Sequence, residues 1–174
     1  MALAVASYPK LTDNDYKDVQ HFRKEHDRLY YSVTQPHFSF VFPLEGIEKG
    51  WFIDEVYKKS NRFGKIQFEI RCATVNKDAV IQYYHLLLVP DEGYSRMVKL
   101  HDRLYSGLFF EHLRLDIDFI PHMGIANSKD PYQVKKWADQ WNQQEFSIRG
   151  TLDTLTVVDY TNQILSDLVY IALE

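Results

Sequence analysis

Pro36-His37-Phe38-Ser39-Phe40 and Pro121-His122-Met123-Gly124-Ile125 are the two stretches on which the reading of this 174-residue chain turns. Read as strands, they alternate faces. His37 and Ser39 then share one side, with Phe38 and Phe40 on the other, and His122 and Gly124 share a side in the same way. Two such strands set together would present two imidazoles to one cleft.

The surroundings of the two stretches repeat. His26-Asp27-Arg28-Leu29-Tyr30 recurs letter for letter as His101-Asp102-Arg103-Leu104-Tyr105, each copy late in a helical pattern and ahead of a Pro-His strand. Self-similarity of this kind points to two related lobes, against the alternative of coincidence between two amphipathic helix ends. Residues 2–8 form an apolar strand that Pro9 ends. Asp13 is the expected N-cap of a helix to about Tyr31, with Tyr16, Val19, Phe22 and Leu29 on one stripe. A strand over 37–42 closed by Pro43 and a helix over 45–59 follow. Strands over 66–75 and 80–89 come next, then a helix over 94–107 with Met97, Leu100 and Leu104 inward. His112–Asp118 alternates and reads as a strand, continued by an extended segment to Ala126. Asp130 and Pro131 open a helix to about Gln143. Strands over 146–160 and 164–173 close the chain as a hairpin. The element order is α+β, and the repeat divides it into two related lobes. No linker divides residues 1–174, so one domain is expected.

Composition narrows the function. Lys and Arg number 20 against 24 Asp and Glu, a net charge of −4, which argues against a broad basic surface for duplex DNA. The single Cys72 excludes a disulfide framework or a zinc-thiolate site built within the chain. No apolar run approaches a membrane span, and the start lacks the charged and apolar regions of a secretory signal. The expectation is a cytoplasmic monomer without membrane partners.

Paired imidazoles suit phosphodiester chemistry without a metal. Near neutral pH one ring can be a base while the other, protonated, is an acid; either histidine can take either role. A hydroxyl two residues on can donate to a phosphate oxygen. On these residues, at this spacing and in this element order, the chain resembles the 2H phosphoesterases, the superfamily of 2′-5′ RNA ligase-like proteins and cyclic phosphodiesterases, whose signature is two His-x-Thr/Ser-x motifs, commonly preceded by Pro. The resemblance implies a bilobal α+β fold, two related antiparallel-rich sheets facing a central cleft with helices on the outside, with catalysis by His37 and His122 and phosphate binding by Ser39. It also implies no cofactor and a small nucleotide or RNA terminus as partner, with a 2′,3′-cyclic phosphate or a 2′-5′ linkage as the reacting group. Gly124 departs from the pattern. It supplies no side-chain hydroxyl, and a main-chain N–H at Gly124 or the hydroxyl of Ser128 is the available substitute. Turnover and binding without turnover are both readings of that departure.

Tyr132, just after the second motif, is a candidate to stack a base, against packing at a helix start. His85, beside Tyr83 and Tyr84, reads as cleft lining or as a satisfied core histidine. The ladder His112, Arg114, Asp116 and Asp118 reads as a solvated strand face rather than a metal site. An acidic whole with an anionic substrate further implies a neutral-to-basic cleft.

Overall fold

The computed structural model describes Met1–Glu174. Nine strands and four α-helices follow in the order β1 (Ala2–Ser7), β2 (Lys10–Leu11), α1 (Asp13–His26), β3 (Phe38–Glu45), α2 (Lys49–Ser60), β4 (Ile66–Lys77), β5 (Tyr84–Glu92), α3 (Tyr94–Leu104), a 3-10 helix (Gly107–His112), β6 (Met123–Ser128), α4 (Pro131–Asn142), β7 (Ile148–Leu152), β8 (Thr154–Thr161) and β9 (Ile164–Ala172). They build two sheets, β3-β1-β8-β9 and β2-β7-β4-β5-β6, antiparallel at every pairing. The expected α+β class with two sheets holds.

The two lobes share a plan at the motif edge. In each, a motif strand lies at the sheet edge, beside a strand joined to it through a helix: β1-α1-β3 in one, β5-α3-β6 in the other. The helices cross over. α1 packs on β6 and α3 on β3, so each motif strand is backed by the helix of the other lobe. Buried apolar side chains from both sheets and all four helices join in one cluster, including Val5, Phe40, Phe52, Phe68, Leu88 and Met123. Burial at roughly 25 cal/mol per Å² of apolar surface is what holds the lobes together.

Several expected boundaries move, each for a local reason. Thr12, not Asp13, caps α1, its hydroxyl accepting from the Asp15 N–H at 3.1 Å. The helix ends at His26 rather than Tyr31, because the Asp27 carboxylate accepts from the Tyr30 N–H at 3.0 Å and closes a turn there. Strand β3 runs through Pro43 to Glu45. It is an edge strand, so the missing N–H breaks no ladder. Glu48 caps α2, accepting from Gly50 and Trp51 at 2.8 and 2.6 Å, so that helix starts four residues late. β5 starts at Tyr84, since Asp78 accepts from the N–H of Val80 and Ile81 and folds 78–83 into a turn. The chain over 146–160 breaks at Asp153, where it leaves one sheet for the other. The largest error is at 112–118, where no strand forms. The 3-10 helix is followed by turns, Leu115 is 84% exposed, and Phe119 stacks on His101 with centroids 3.6 Å apart. Alternation alone could not supply a partner strand.

The pentapeptide repeat marks unequal places. Asp27 is buried while Asp102 is exposed, and His101 is buried with Nδ1 2.8 Å from the Phe40 carbonyl while His26 packs between Phe22 and Trp137.

Candidate functional site

A cavity of about 500 Å³ opens between the two sheets. His37, Ser39, His122 and Gly124 all line it, so the two motifs face one another across one cleft. Both histidines sit one residue before their strands, not within them. The preceding prolines explain their posture. Pro36 and Pro121 hold Gln35 and Ile120 away from the helical region, which leaves those two carbonyls out of any ladder. His37 Nδ1 lies 2.9 Å from the Gln35 carbonyl and His122 Nδ1 2.5 Å from that of Ile120. A carbonyl only accepts, so Nδ1–H donates in both rings and Nε2 is the unbonded nitrogen.

Burial pushes both imidazoles below their ordinary pKa. For His37 the Gln35 carbonyl opposes that effect, Arg23 adds to it and Asp27 offsets it. His122 is lowered to about 4, chiefly by burial, against the Ile120 carbonyl and with repulsion from His37 and His85 added. The charge on His37 thus bears on the protonation of His122.

Ser39 is half-buried on the cleft wall. Gly124 is exposed there, and a Cβ built on it would meet nothing within 4 Å. Ser128 does not replace the absent hydroxyl. It is outside the cleft and accepts from the Asp130 N–H at 3.0 Å. Tyr132 also lies outside, 79% exposed on the first turn of α4. Its neighbour Asp130 caps α4 with Pro131 behind it, as expected.

The cleft is not basic. Arg23 and Asp27 neutralise one another, Asp78 lies against His85, and Arg114 is held by Asp116 while Asp118 also faces the cavity. Arg114 and Asp116 make the exposed ladder an ion pair, and no cluster of three or more His, Cys, Asp or Glu is placed to hold a metal ion.

Two polar networks in the cleft wall join residues that the sequence reading left unconnected. Arg23, 1% exposed, donates through Nε and Nη2 to Asp27 Oδ2 at 3.0 and 2.9 Å, and through Nη2 to the Thr34 carbonyl at 2.9 Å. Asp27 Oδ1 accepts from Asn127 Nδ2 on β6, which ties the loop before His37 to the strand after His122. The repeat that contains Asp27 was the available signal. The second network pairs His85 with Asp78, 2.8 Å apart. His85 is thus both cleft lining and hydrogen-bonded.

Two sheets with paired edge motifs around one cleft define a two-histidine α+β class. The chain belongs to the 2′-5′ RNA ligase superfamily, whose family model matches residues 11–164. No curated protein matches the sequence. Among solved structures, TT0787 of Thermus thermophilus superposes with a TM-score of 0.65 at 12% identity, covering 99% of this chain and 98% of that one. E. coli LigT in apo form gives 0.56 at 12% identity, with 99% and 96% covered. E. coli LigT complexed with 3′-AMP gives 0.57 at 12% identity, with 99% and 97% covered. At such identity the likeness speaks for the fold. No helix is long and apolar enough to cross a membrane.

Proposed function

We propose that the chain, acting as one domain over residues 1–174, is a metal-independent phosphoesterase for 2′,3′-cyclic phosphate nucleotides or RNA ends. The observation that carries this reading is the pair of cleft imidazoles, each with Nδ1 committed to a carbonyl and Nε2 free. The crystallised complex of a neighbouring fold, LigT, with 3′-AMP supports a nucleotide as the ligand class.

In the mechanism, His122, held neutral by a pKa of about 4, is the base, which leaves His37 as the acid. Neutral His122 Nε2 takes a proton from water as the oxygen attacks phosphorus. The P–O bond to one ribose oxygen breaks, and His37 Nε2–H protonates that oxygen, leaving a phosphomonoester and a free hydroxyl. An anionic phosphate between the rings raises both pKa values and so favours protonation of His37 in the complex. Ser39 donates to a phosphate oxygen, and the Gly124 main chain stands opposite. A 2′-5′ linkage fits the same chemistry.

The purified protein should hydrolyse nucleoside 2′,3′-cyclic phosphates in EDTA, and His37→Ala or His122→Ala should abolish it. Activity that requires added metal, or that survives both changes, overturns the mechanism. Gly124 favours a second reading, a module that binds a nucleotide or RNA end without turnover. Calorimetric binding with no product after long incubation would select it.

A further inference from the structure

His37 and His122 each stand one residue ahead of a strand, so the chain leading into them decides where the imidazoles lie. Two carbonyls at the end of that chain, those of Gln35 and Ile120, orient the rings. Each of the two leading stretches is held by one copy of the repeated pentapeptide.

In the first copy, Asp27 closes the turn at Tyr30, and Arg23, one helical turn earlier, donates from Nη2 to the carbonyls of Tyr30 and Thr34 at 3.3 and 2.9 Å. Thr34 directly precedes Gln35. In the second copy, the His101 ring stacks on Phe119, with centroids 3.6 Å apart and 6° between the planes. Phe119 directly precedes Ile120. Each copy also reaches across to the other lobe. Asp27 Oδ1 accepts from Asn127 Nδ2 on β6, the strand that follows His122. His101 Nδ1–H donates to the Phe40 carbonyl at 2.8 Å on β3, the strand that follows His37. The Tyr105 hydroxyl accepts from the Phe42 N–H on that strand at 3.1 Å. Each copy therefore joins the segment that orients its own lobe's imidazole to the motif strand of the opposite lobe.

The groups that do this are buried, Arg23 at 1%, His101 at 3% and Asp27 at 5% exposure. A buried ion pair adds little net stability, because desolvation offsets the attraction. Its hydrogen bonds nevertheless have direction, and so fix where the joined segments lie. An acid and a base that must flank one phosphorus atom depend on such placement, since a displacement of about 1 Å costs on the order of 10² in rate.

We propose that the repeated pentapeptide is a pair of clasps, in which Asp27 with Arg23, and His101 with Tyr105, are positioning residues that set the two motif imidazoles against one another across the cleft. The effect on rate rests on the phosphoesterase reading; the effect on ring orientation does not.

The test uses two mild variants. Asn127→Leu removes the tie between the first clasp and β6, while Asp27 keeps Arg23 and the Tyr30 N–H. His101→Asn leaves an amide N–H in the place of Nδ1 for the Phe40 carbonyl but takes the ring off Phe119. Thermal unfolding gives Tm. Hydrolysis of adenosine 2′,3′-cyclic phosphate gives kcat, taken per site counted by calorimetric binding of 3′-AMP. Long-range proton–nitrogen spectra at about pH 8, where lowered pKa values leave both rings neutral, give the imidazole tautomers. In each variant kcat should fall about tenfold or more, with 3′-AMP affinity within about threefold of wild type. His122 should be wholly the Nδ1–H form in wild type and a mixture of tautomers in His101→Asn. A structural role alone would lower Tm and leave kcat per site and the tautomers as in wild type, and that result overturns the proposal. A kcat within about twofold of wild type in one variant removes the clasp it touches. An unchanged Nδ1–H form of His122 in His101→Asn removes the second clasp whether or not substrate is turned over. Absence of turnover in the wild type removes the phosphoesterase reading, and a tautomer mixture in His101→Asn would then still support the clasp.

Discussion

Gly124→Ser adds the hydroxyl that the second motif lacks. The site is ready for it. A Cβ there meets nothing within 4 Å, the position is exposed on an edge strand, and its φ is not positive. Two effects separate. Replacing Gly in a compatible strand site restricts the unfolded chain and should stabilise the fold by about 0.4–1 kcal/mol, or a rise in Tm of roughly 1–4 °C at this size. Gly124→Ala should give the same rise, since it adds the Cβ without the oxygen. The hydroxyl, two residues from His122 and on its side, should add a donor to the developing charge on phosphate. A donor of that kind is worth about 10²–10³ in rate. The assay pairs thermal unfolding with hydrolysis of a 2′,3′-cyclic nucleotide for wild type, Gly124→Ala and Gly124→Ser. A Tm gain in both with a rate gain only in Gly124→Ser is the expected pattern. Equal rates in all three would show that the missing hydroxyl does not limit the reaction, and a lower Tm in either variant would refute the open space at Gly124.

Four further outcomes are expected. His122 is held at about 4 when folded against about 6.5 when unfolded, so the unfolded chain binds more protons between those values. Stability present above pH 6.5 should therefore be lost as pH falls toward 4, by about 3 kcal/mol. His37, also lowered, acts in the same direction; urea unfolding across this range should show His122→Asn with a flatter slope. The active form, His37 protonated and His122 neutral, becomes scarcer in the free protein as pH rises, because burial lowers the His37 pKa. The kcat/KM profile should accordingly peak on the acid side, with the kcat optimum higher because bound phosphate raises both groups; a kcat/KM optimum above pH 8 would refute the assignment. Arg23→Met strands Asp27, 3% exposed at its side chain, and should cost about 3–5 kcal/mol in denaturant unfolding; a change below 1 kcal/mol would show that the network is dispensable. Gly93 has a φ of +83° and a Cβ there would lie 2.5 Å from the Gln67 carbonyl oxygen, so Gly93→Ala should destabilise by at least about 1–3 kcal/mol. Calorimetric Tm values equal to wild type would refute that packing.

Much of the site was legible because it is written locally. A proline before each histidine, a hydroxyl or its absence two residues on, and the Asp130-Pro131 helix start are short-range patterns whose geometry follows from a few dihedral angles. The strand expected at 112–118 failed for the opposite reason. Its alternation was genuine, but a strand exists only with a partner to bond, and Phe119 instead anchors the segment on His101. Arg23 was equally hidden. On a helix stripe it looks like solvated charge, and only the packing of α1 on β6 encloses it with Asp27 and Asn127.

The residues by themselves determined the two-lobed α+β plan, the pairing of His37 with His122 and the gap at Gly124. These depend on periodicity and on chemical groups that are present or absent whatever the fold. Tertiary structure alone decided that the prolines leave carbonyls to orient each imidazole. It also decided that burial lowers the pKa of both rings and that the cleft is near neutral. Those properties arise from distances between residues far apart in the chain, and burial and hydrogen bonding have no value until those distances are set.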